Sequence, residues 1–368
     1  MRYLNWQECL AEKEFTQIID VRSPGEFALD HVPGAVNLPV LNNDERAEMG
    51  RLYVQVSRYD ARRLGAAMVA RNAATHLEGF LSPYPEHSRF LLYCWRGGNR
   101  SKAMAVILDA VGWDVTVLAG GYKNYRAHVR EAMTRLCPAL RCHILTGLTG
   151  SGKSLLLRHM AGQGHQVLDL EMLGCHRGSL LGEEPGAPQP SQKHFESLVL
   201  RQIEGFDPAK PMWIESESKR LGRLWLPEPL WAVMTAAPVH ELHVPAAVRA
   251  DFLVGGYGHF VAAPDALVEK LETLREPCGG EQVAAWQAMI RAGEWVEFVR
   301  SLLECHYDPV YRRCRDVFPA SCSEHEMQAL DAESLDRAAA ELIAAAGRVT
   351  TSLPCAEIAA GLSLTAYE

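Results

Sequence analysis

The first third of the chain alternates short apolar runs with segments of helical periodicity. Apolar runs at 18–21, 35–38, 89–93 and 114–118 predict strands, whereas 62–77, 101–111 and the segment opening at Gly120-Gly121 predict helices. Strands that alternate with helices are typical of a mostly parallel sheet covered on both faces. We therefore predict an α/β domain over residues 1–136.

A second α/β pattern begins after Pro138. Apolar runs at 142–146, 166–170, 212–215 and 239–244 predict strands, and 153–160 and 192–204 predict helices. The Gly- and Pro-rich stretch 182–190 predicts a mobile loop. From about residue 246 the pattern is mainly helical and ends in an Ala-rich segment at 335–346. We predict a second α/β domain over residues 137–368, with a helical C-terminal region.

Composition narrows the class of protein. The chain has 368 residues, of which 48% are hydrophobic and 22% charged, as in ordinary globular proteins. Charged residues interrupt the first fifteen positions, so no signal peptide is predicted, and the longest uncharged apolar stretch, 229–239, is too short to span a bilayer. Ten cysteines without a C-x-x-C pair favour a reduced, cytoplasmic protein that has no membrane partner.

A late group of cysteines and histidines does not have the spacing of a usual zinc site. Ordinary thiols account better for the following group: Cys305, His306, Cys314, Cys322 and His325.

Basic residues cluster in two strips although the net charge is −8. In the first strip Asp60 is the only acidic residue among Arg51, Arg58, Arg62, Arg63 and Arg71. In the second strip Glu131 is the only acidic residue among Lys123, Arg126, Arg130, Arg135 and Arg141. Each strip could contact a phosphate backbone, and each could equally be a solvated helix face.

The strand predicted at 142–146 leads into a glycine-rich segment that opens the next helix. Gly147-Leu-Thr-Gly-Ser-Gly-Lys153-Ser154 fits the P-loop pattern G-x-x-x-x-G-K-[ST] in full. Glycines let backbone N–H groups converge on phosphate oxygens, and the helix N-terminus adds a favourable dipole. Lys153 supplies a cation, and Ser154 can bind Mg²⁺ alongside the phosphate. The predicted phosphate-binding set is Gly147, Gly150, Ser151, Gly152, Lys153 and Ser154.

A later strand ends in Glu215-Ser216-Glu217, where a P-loop hydrolase usually has an aspartate. A carboxylate at this point could hold Mg²⁺ through water. The missing aspartate weakens the interpretation as a nucleotide hydrolase without excluding it.

A second candidate site surrounds Cys94, which follows a strand and directly precedes a helix. Its loop reads Cys94-Trp-Arg96-Gly-Gly-Asn-Arg100-Ser101. Loop amides, the helix dipole, Arg96 and Arg100 would favour the thiolate. Such a sulfur can carry a chalcogen or attack phosphorus.

The first 135 residues resemble rhodanese domains. The landmarks, in order, are Asp20-Val-Arg22-Ser-Pro-x-Glu26-Phe27, His31-x-Pro33-Gly34-Ala35, the Cys94 loop and Gly120-Gly-Tyr-x-x-Tyr-Arg126. The arginine lies six positions after the cysteine here, instead of the usual five. This longer ring resembles that of cysteine phosphatases, and we expect it to admit a phosphate-sized anion such as a selenophosphate-like donor.

The combination of a Cys-Trp-Arg-Gly-Gly rhodanese loop with a P-loop resembles the bacterial tRNA 2-selenouridine synthases. The resemblance runs from residue 20 to about residue 255. Further matching landmarks are His176-Arg177-Gly178-Ser179, Gln189-Pro190-Ser-Gln192, Phe195-Glu196 and Glu215-Ser-Glu217-Ser218.

The resemblance implies a two-step reaction at the wobble uridine of tRNA. The 2-thio group is first S-geranylated with geranyl diphosphate, and selenium derived from selenophosphate then replaces the geranylthio group. The P-loop would hold the diphosphate, and His176, Arg177 and Ser179 would meet the base or the diphosphate. Cys94, assisted by Arg96 and Arg100, would handle selenium. An enzyme that supplies selenophosphate is a candidate partner.

The geranyl tail needs an apolar slot, for which Trp213, Trp225 and Trp231 are candidates, although at least two of them suit a core position better.

Other functions fit parts of this pattern. The main alternative is an ATP-dependent tRNA sulfurtransferase, or a P-loop kinase, fused to a rhodanese domain. A non-enzymatic anion sensor and a phosphatase built on Cys94 are further alternatives.

Overall fold

The computed structural model describes residues 1–12, 14–179, 181–184, 186–314 and 317–350. The chain divides into two compact units. The first unit comprises Met1–Leu136 and Pro190–Glu204, and the second comprises Cys137–Gln189 and the chain from Gly205 onward. The division after residue 136 coincides with the predicted one. The segment 190–204, which we predicted to lie in the second domain, belongs to the first unit.

The first unit is built on a five-stranded parallel sheet of order β1-β5-β4-β2-β3. Its strands are β1 Arg2–Leu4, β2 Gln17–Asp20, β3 Val36–Asn37, β4 Arg89–Tyr93 and β5 Asp114–Leu118. Its first six helices are α1 Trp6–Glu12, α2 Pro24–Leu29, α3 Asn43–Gln55, α4 Arg58–Glu78, α5 Asn99–Val111 and α6 Gly121–Leu136. The central strands are continuous apolar runs because helices cover both faces of a parallel sheet.

Helix α3 was not predicted, and α4 begins four residues before the predicted start. The Ser57 hydroxyl caps α4 by accepting a 3.1 Å hydrogen bond from the Asp60 amide. Asn42 and Glu45 form a capping box that starts α3. Helix α3 has only one buried residue, Met49, so its sequence lacks a clear apolar stripe.

The second unit contains a five-stranded parallel sheet of order β12-β11-β6-β8-β7 and a two-stranded ribbon. Its strands are β6 Arg141–Gly147, β7 Gln166–Leu168, β8 Pro211–Glu215, β9 Arg220–Leu221, β10 Leu224–Trp225, β11 Val239–His243 and β12 Ser321–Glu326. The helices from α7 onward are α7 Lys153–Gly162, α8 Leu170–Gly174, α9 Gln192–Ile203, α10 Glu228–Ala236, α11 Ala246–Gly256, α12 Gly258–Ala262, α13 Pro264–Leu271, α14 Arg275–Cys278, α15 Gly280–Ala292, α16 Trp295–Leu302, α17 Asp308–Cys314 and α18 Ala332–Thr350. Within the described ranges, no helix is long and apolar enough to cross a membrane.

The mainly helical C-terminal region also contains one strand that was not predicted, β12. It lies at the edge of the sheet and pairs in parallel with β11. Its sequence, Ser-Cys-Ser-Glu-His-Glu, is polar because most of its side chains are at least partly exposed. An edge strand of this kind has no apolar alternation that would predict it.

Helix α9 belongs to the first unit because it supplies partners for a buried cation. The Arg126 guanidinium donates hydrogen bonds to the Ser197 hydroxyl at 3.1 Å and to the Lys193 carbonyl at 3.0 Å. It also forms ion pairs with Glu196 and, at 3.5 Å, with Asp30. A buried guanidinium is costly unless carboxylates and acceptors surround it, which explains this packing.

Two histidines are buried side by side in the sheet of the second unit. His143 on β6 and His240 on β11 share a hydrogen bond of 3.0 Å, and Trp213 packs against both rings. Burial lowers the pKa of His143 to about 4 and that of His240 to about 3. Both imidazoles are therefore neutral in the folded protein at physiological pH.

This pair predicts a loss of stability in acid. The unfolded chain takes up protons at an ordinary histidine pKa of about 6.5, whereas the folded chain resists protonation until about pH 4. We expect the free energy of unfolding to fall as the pH drops from 6.5 to 4, by on the order of a few kcal/mol. Urea unfolding at pH 7.5 and pH 5 would measure this change. The variant His143→Leu/His240→Leu should lose clearly less stability over that interval, and an equal loss would contradict the assignment.

Candidate functional site

The P-loop joins β6 to α7 at the carboxyl edge of the second sheet. Gly150 and Gly152 adopt φ angles of +81° and +76°, which side chains rarely tolerate. A Cβ on Gly150 would lie 2.8 Å from Leu253, and one on Gly152 would lie 2.7 Å from Leu330. The glycines therefore allow a tight loop that packs directly against apolar side chains. The predicted strand, loop and helix are confirmed.

Lys153 and Ser154 begin helix α7. The Lys153 ammonium donates to the Gly147 carbonyl at 2.7 Å and lies 5.5 Å from the centre of the Tyr311 ring. The Ser154 hydroxyl donates to a Glu171 carboxylate oxygen at 2.7 Å. A phosphate ligand would compete with the Gly147 carbonyl for the lysine.

Ser151 does not contribute its side chain to the cavity beside the P-loop. The residue is buried, and its hydroxyl has no hydrogen-bond partner in the described structure. The hydroxyl oxygen instead occupies the space that a Cβ on Gly147 would need, at 2.8 Å. Of the predicted phosphate-binding residues, Gly147 and Ser151 do not line the cavity, whereas Gly150, Gly152, Lys153 and Ser154 do.

Three carboxylates converge beside Ser154. Oxygens of Glu171, Glu215 and Glu217 all lie within 4.8 Å of one another. Burial raises the pKa of Glu215 well above its ordinary value, and burial together with the charge of Glu171 raises the pKa of Glu217 to about 7. One oxygen of Glu215 is fully buried and has no hydrogen-bond partner among the described residues. This arrangement suits a divalent cation, because oxygen ligands are what Mg²⁺ prefers and a cation would satisfy the unpaired oxygen.

A cavity of about 720 Å³ connects these groups within the second unit. The P-loop and the three carboxylates line one part of it. Another part is apolar and is lined by Trp231, Phe252, Leu253, Tyr257, Tyr307 and Phe318. Of the three tryptophans proposed for an apolar slot, Trp231 lies here, Trp213 is buried in the core, and Trp225 is exposed.

A second, smaller cavity of about 60 Å³ shares part of its wall with the first. The shared residues are Thr149, Ser179, Leu253, Tyr257 and Tyr307. Its far end is formed by apolar side chains of the helical region, among them Leu267, Trp295, Phe298 and Val299. The apolar surface thus extends from the P-loop into the helical region.

Not all residues of the motif His176-Arg177-Gly178-Ser179 line the large cavity. Arg177 and Ser179 line the large cavity, and the Arg177 guanidinium pairs with Glu184 at 2.5 Å and stacks 4.7 Å over Tyr257. His176 does not line it. His176 is buried, its Nδ1 accepts a 3.1 Å hydrogen bond from the Gly178 amide, and burial lowers its pKa. His176 thus supports the loop in this structure, and its contact with substrate stays a prediction.

Several residues of this site escaped prediction. Glu171 follows β7 at the same sheet edge as Glu215, so its position after a strand was an available signal. Arg249 donates to the Thr149 carbonyl of the P-loop at 3.0 Å while it pairs with Asp308 at 2.9 Å. Tyr311 accepts a 3.1 Å hydrogen bond from the Gly147 amide. Arg249 and Tyr311 lie 100 and 164 residues from the P-loop groups that they contact, so no local pattern predicts them.

The Cys94 loop occupies the corresponding strand-to-helix position in the first unit. Cys94 is only 4% exposed, and its sulfur accepts hydrogen bonds of 3.2 Å from the Gly98 amide and the Ser101 hydroxyl. Both donors would stabilise a thiolate. Gly121 makes the fold of this loop possible, since a Cβ there would lie 2.3 Å from the Cys94 carbonyl.

The two arginines of this loop do not both face the sulfur. The Arg100 guanidinium forms a two-pronged ion pair with Glu26, at 2.7 and 3.2 Å. Arg96 is exposed to solvent. Glu26, one of the landmarks shared with rhodanese domains, is thus the partner of Arg100. A phosphate donor that binds Arg100 would have to displace the Glu26 carboxylate.

Sequence comparison identifies both parts of the chain. Residues 5–128 match the rhodanese-like domain, and residues 140–321 match the tRNA 2-selenouridine synthase AAA domain. A tRNA 2-selenouridine synthase from Nitrosomonas eutropha is 33% identical over 78% of this chain and 75% of its own length. The one from Hahella chejuensis is 33% identical over 80% and 84%. The chain belongs to the tRNA 2-selenouridine synthase family.

The match to a third member of the tRNA 2-selenouridine synthase family is shorter. The protein from Nitrosomonas europaea is 37% identical over 66% of this chain, and the match spans 63% of that relative's own length. The two matched domains include the Cys94 loop and the P-loop with its carboxylates. The predicted fold class, a rhodanese-like parallel-sheet domain followed by a P-loop α/β domain, is confirmed.

The carboxylate cluster predicts a divalent-cation site. Titration of the chelator-treated protein with Mn²⁺, followed by electron paramagnetic resonance, should detect binding. We expect Glu171→Gln and Glu215→Gln each to weaken it at least about tenfold, since each removes a charge or a ligand. The exposed Glu281→Gln should leave binding unchanged. If neither cluster variant differs from this control, the cation site is elsewhere.

Proposed function

We propose that the chain is a tRNA-modifying transferase that converts 2-thiouridine at the wobble position to 2-selenouridine through an S-geranyl intermediate. Geranyl diphosphate and then selenophosphate are the co-substrates, and the reaction takes place in the cytoplasm with an enzyme that supplies selenophosphate as a partner. One observation carries the proposal. A phosphate-binding loop, a carboxylate cluster suited to Mg²⁺ and an apolar wall line the same cavity.

In the first step the 2-thio sulfur attacks C1 of the geranyl chain. The carbon–oxygen bond breaks, diphosphate leaves with the electron pair, and the uracil ring loses a proton to solvent. The P-loop amides and Lys153 stabilise the negative charge of the leaving diphosphate, so no water-activating base is needed. Mg²⁺, held by Ser154 and the carboxylates of Glu171, Glu215 and Glu217, would supply further charge neutralisation.

The apolar wall accounts for a prenyl donor better than for a nucleotide. Leu253 packs against Gly150 of the P-loop, so apolar surface begins beside the phosphate cradle. From there Tyr257 and Tyr307 lead to the smaller cavity. We place the first carbons of the tail against Leu253 and its distal end toward Phe298 and Val299.

In the second step Cys94 handles selenium. Its thiolate attacks the phosphorus of selenophosphate, the phosphorus–selenium bond breaks, and selenide leaves with the electron pair. The phosphoryl group stays on the Cys94 sulfur until water hydrolyses the phosphorus–sulfur bond and releases phosphate. Selenide then adds to C2 of the uracil ring and displaces the geranylthio group. Cys94 is only 4% exposed, so access of the donor to the sulfur is narrow. Arg100, once released by Glu26, and the exposed Arg96 would bind the phosphate.

The two steps should separate by mutation. Lys153→Ala removes the cation that meets the diphosphate and should slow geranyl transfer by about 10²–10³-fold. Cys94→Ala should abolish selenium insertion and leave geranyl transfer intact. Mass spectrometry of nucleosides from thiolated tRNA, incubated with geranyl diphosphate with and without selenophosphate, measures both products. Lys210→Ala and Cys9→Ala serve as matched controls. Because selenium insertion consumes the geranylated product, Lys153→Ala should reduce both products. Loss of geranyl transfer in Cys94→Ala would contradict separate roles.

The small cavity should set the prenyl chain length. Val299→Phe narrows it and should shift the preference from the C10 toward the C5 diphosphate by at least about tenfold, whereas Phe298→Leu should favour the C15 donor. Competition between donors of two lengths measures the preference without relying on absolute activity. If Trp231→Phe changes the preference and the two cavity variants do not, the tail lies along the opposite wall.

An ATP-dependent sulfurtransferase or a P-loop kinase remains the alternative for the same cavity. It predicts that ATP displaces bound geranyl diphosphate and is turned over without tRNA. Our proposal predicts neither result.

A further inference from the structure

The turn between α3 and α4 exposes an unusual set of side chains. Four large apolar residues there are strongly exposed: Tyr53 at 45%, Val54 at 81%, Val56 at 65% and Tyr59 at 73%. Single exposed apolar residues are common, but four within seven positions form a contiguous patch of the kind that marks an interaction site. We call the segment Arg51–Arg63 the hairpin tip.

Arginines flank these side chains. Arg51, Arg58, Arg62 and Arg63 are all exposed. The Arg58 guanidinium lies 5.5 Å from the centre of the Tyr53 ring, and Arg63 reaches the carboxylate of Asp60 only at 3.7 Å. Asp60 is the one acidic residue of the hairpin tip. The patch therefore combines aromatic rings with an excess of positive charge.

This combination favours RNA over other partners. Unpaired bases stack on tyrosine rings and on guanidinium planes, and arginines bind phosphate with paired hydrogen bonds. On α4, Arg58 and Arg62 are four residues apart, as are Tyr59 and Arg63, so each pair shares one face of the helix. We propose that the hairpin tip is a docking surface for unpaired nucleotides of the substrate tRNA. The identity of that RNA rests on the proposed function.

The position of the hairpin tip supports this role. At its other end, α3 contacts the region of the Cys94 loop: the Asn43 side chain accepts a 2.9 Å hydrogen bond from the Gly25 amide, and Arg46 lies 3.5 Å from Glu26. Glu26 in turn pairs with Arg100. The seven steps along the helix from Arg46 to Tyr53 rise by about 10 Å. An RNA loop on the tip would lie within one short helix of the Cys94 site.

The second basic strip of the sequence does not form a comparable surface. Arg126 is buried between Asp30 and Glu196, and Arg141 donates to the Ala209 carbonyl at 2.7 Å. Arg130 and Arg135 are exposed on α6. They provide a matched control, because they have the same charge without neighbouring exposed tyrosines.

Binding of a labelled tRNA transcript to the full-length protein, followed by fluorescence anisotropy at several salt concentrations, tests the proposal. Tyr53→Ala/Tyr59→Ala should raise Kd at least about tenfold, the equivalent of one lost base stack. Arg58→Gln/Arg62→Gln should weaken binding and lower the slope of log K against log salt by about 1–2. Arg130→Gln/Arg135→Gln should change neither quantity by as much.

The outcomes distinguish the inference from the function on which it rests. Thermal unfolding of every variant, followed by circular dichroism, serves as the check of folding. Failure of the unaltered protein to bind tRNA would contradict the proposed function. Normal tRNA affinity in both hairpin variants would overturn the inference and leave the function standing. The inference would also be wrong if the tyrosine variant changed only self-association, measured by sedimentation.

Discussion

Mutual repulsion among three partly or fully buried carboxylates is the constraint on which the site of the second unit depends. Glu171, Glu215 and Glu217 share one small volume, and the pKa of each is raised because burial penalises its charge. Such a cluster is unfavourable in isolation, and it is tolerated where something positive balances it. Lys153, Arg158 and a divalent cation are the candidates that the structure offers. The cluster therefore lowers stability, and we propose that it does so to provide a site for a cation and a diphosphate.

The rest of that site is arranged around the same balance. The P-loop supplies the dipole of a helix N-terminus. Arg249, which is buried and paired with Asp308, stabilises the loop by donating a hydrogen bond to the Thr149 carbonyl. Apolar side chains reach the loop itself through Leu253. This combination of strong electrostatics with an apolar wall supports our proposal of a donor that carries a diphosphate on a hydrocarbon chain.

The Cys94 loop of the first unit is held by contacts of a different kind. Cys94 is held by one amide and one hydroxyl, and its loop arginine is engaged by Glu26. Helix α9, which comes from the middle of the P-loop domain in sequence, completes the burial of Arg126 and Asp30 in this unit. The landmarks Phe195-Glu196 of the sequence are therefore explained by packing on the rhodanese-like unit. The chain passes from one unit to the other and back, so the two cannot be separated by a single cut.

Local patterns determined much of this protein. Buried parallel strands are apolar runs, and β4 and β5 were predicted to the residue. The P-loop and the Cys94 loop were readable because glycine, lysine and cysteine are required there at fixed spacings within one strand-to-helix turn. The same holds for Glu215 and Glu217, which directly follow a strand. Family membership also rests on these contiguous motifs.

Only the tertiary structure decided what depends on distant residues. Glu171 lies beside Glu215, and Tyr311 is hydrogen-bonded to Gly147. Glu26 forms an ion pair with Arg100, and α9 packs on Arg126. The members of each pair are dozens of positions or more apart in the sequence. Strand β12 forms because β11 offers an edge, although its own sequence is polar. His176 and Arg177 are adjacent in the sequence, but only Arg177 lines the large cavity. A sequence shows which groups are close to one another along the chain. Packing decides which groups share a buried volume of low dielectric constant. Electrostatic interactions are strong in such a volume, so packing also decides the charge state of these groups and what they can bind.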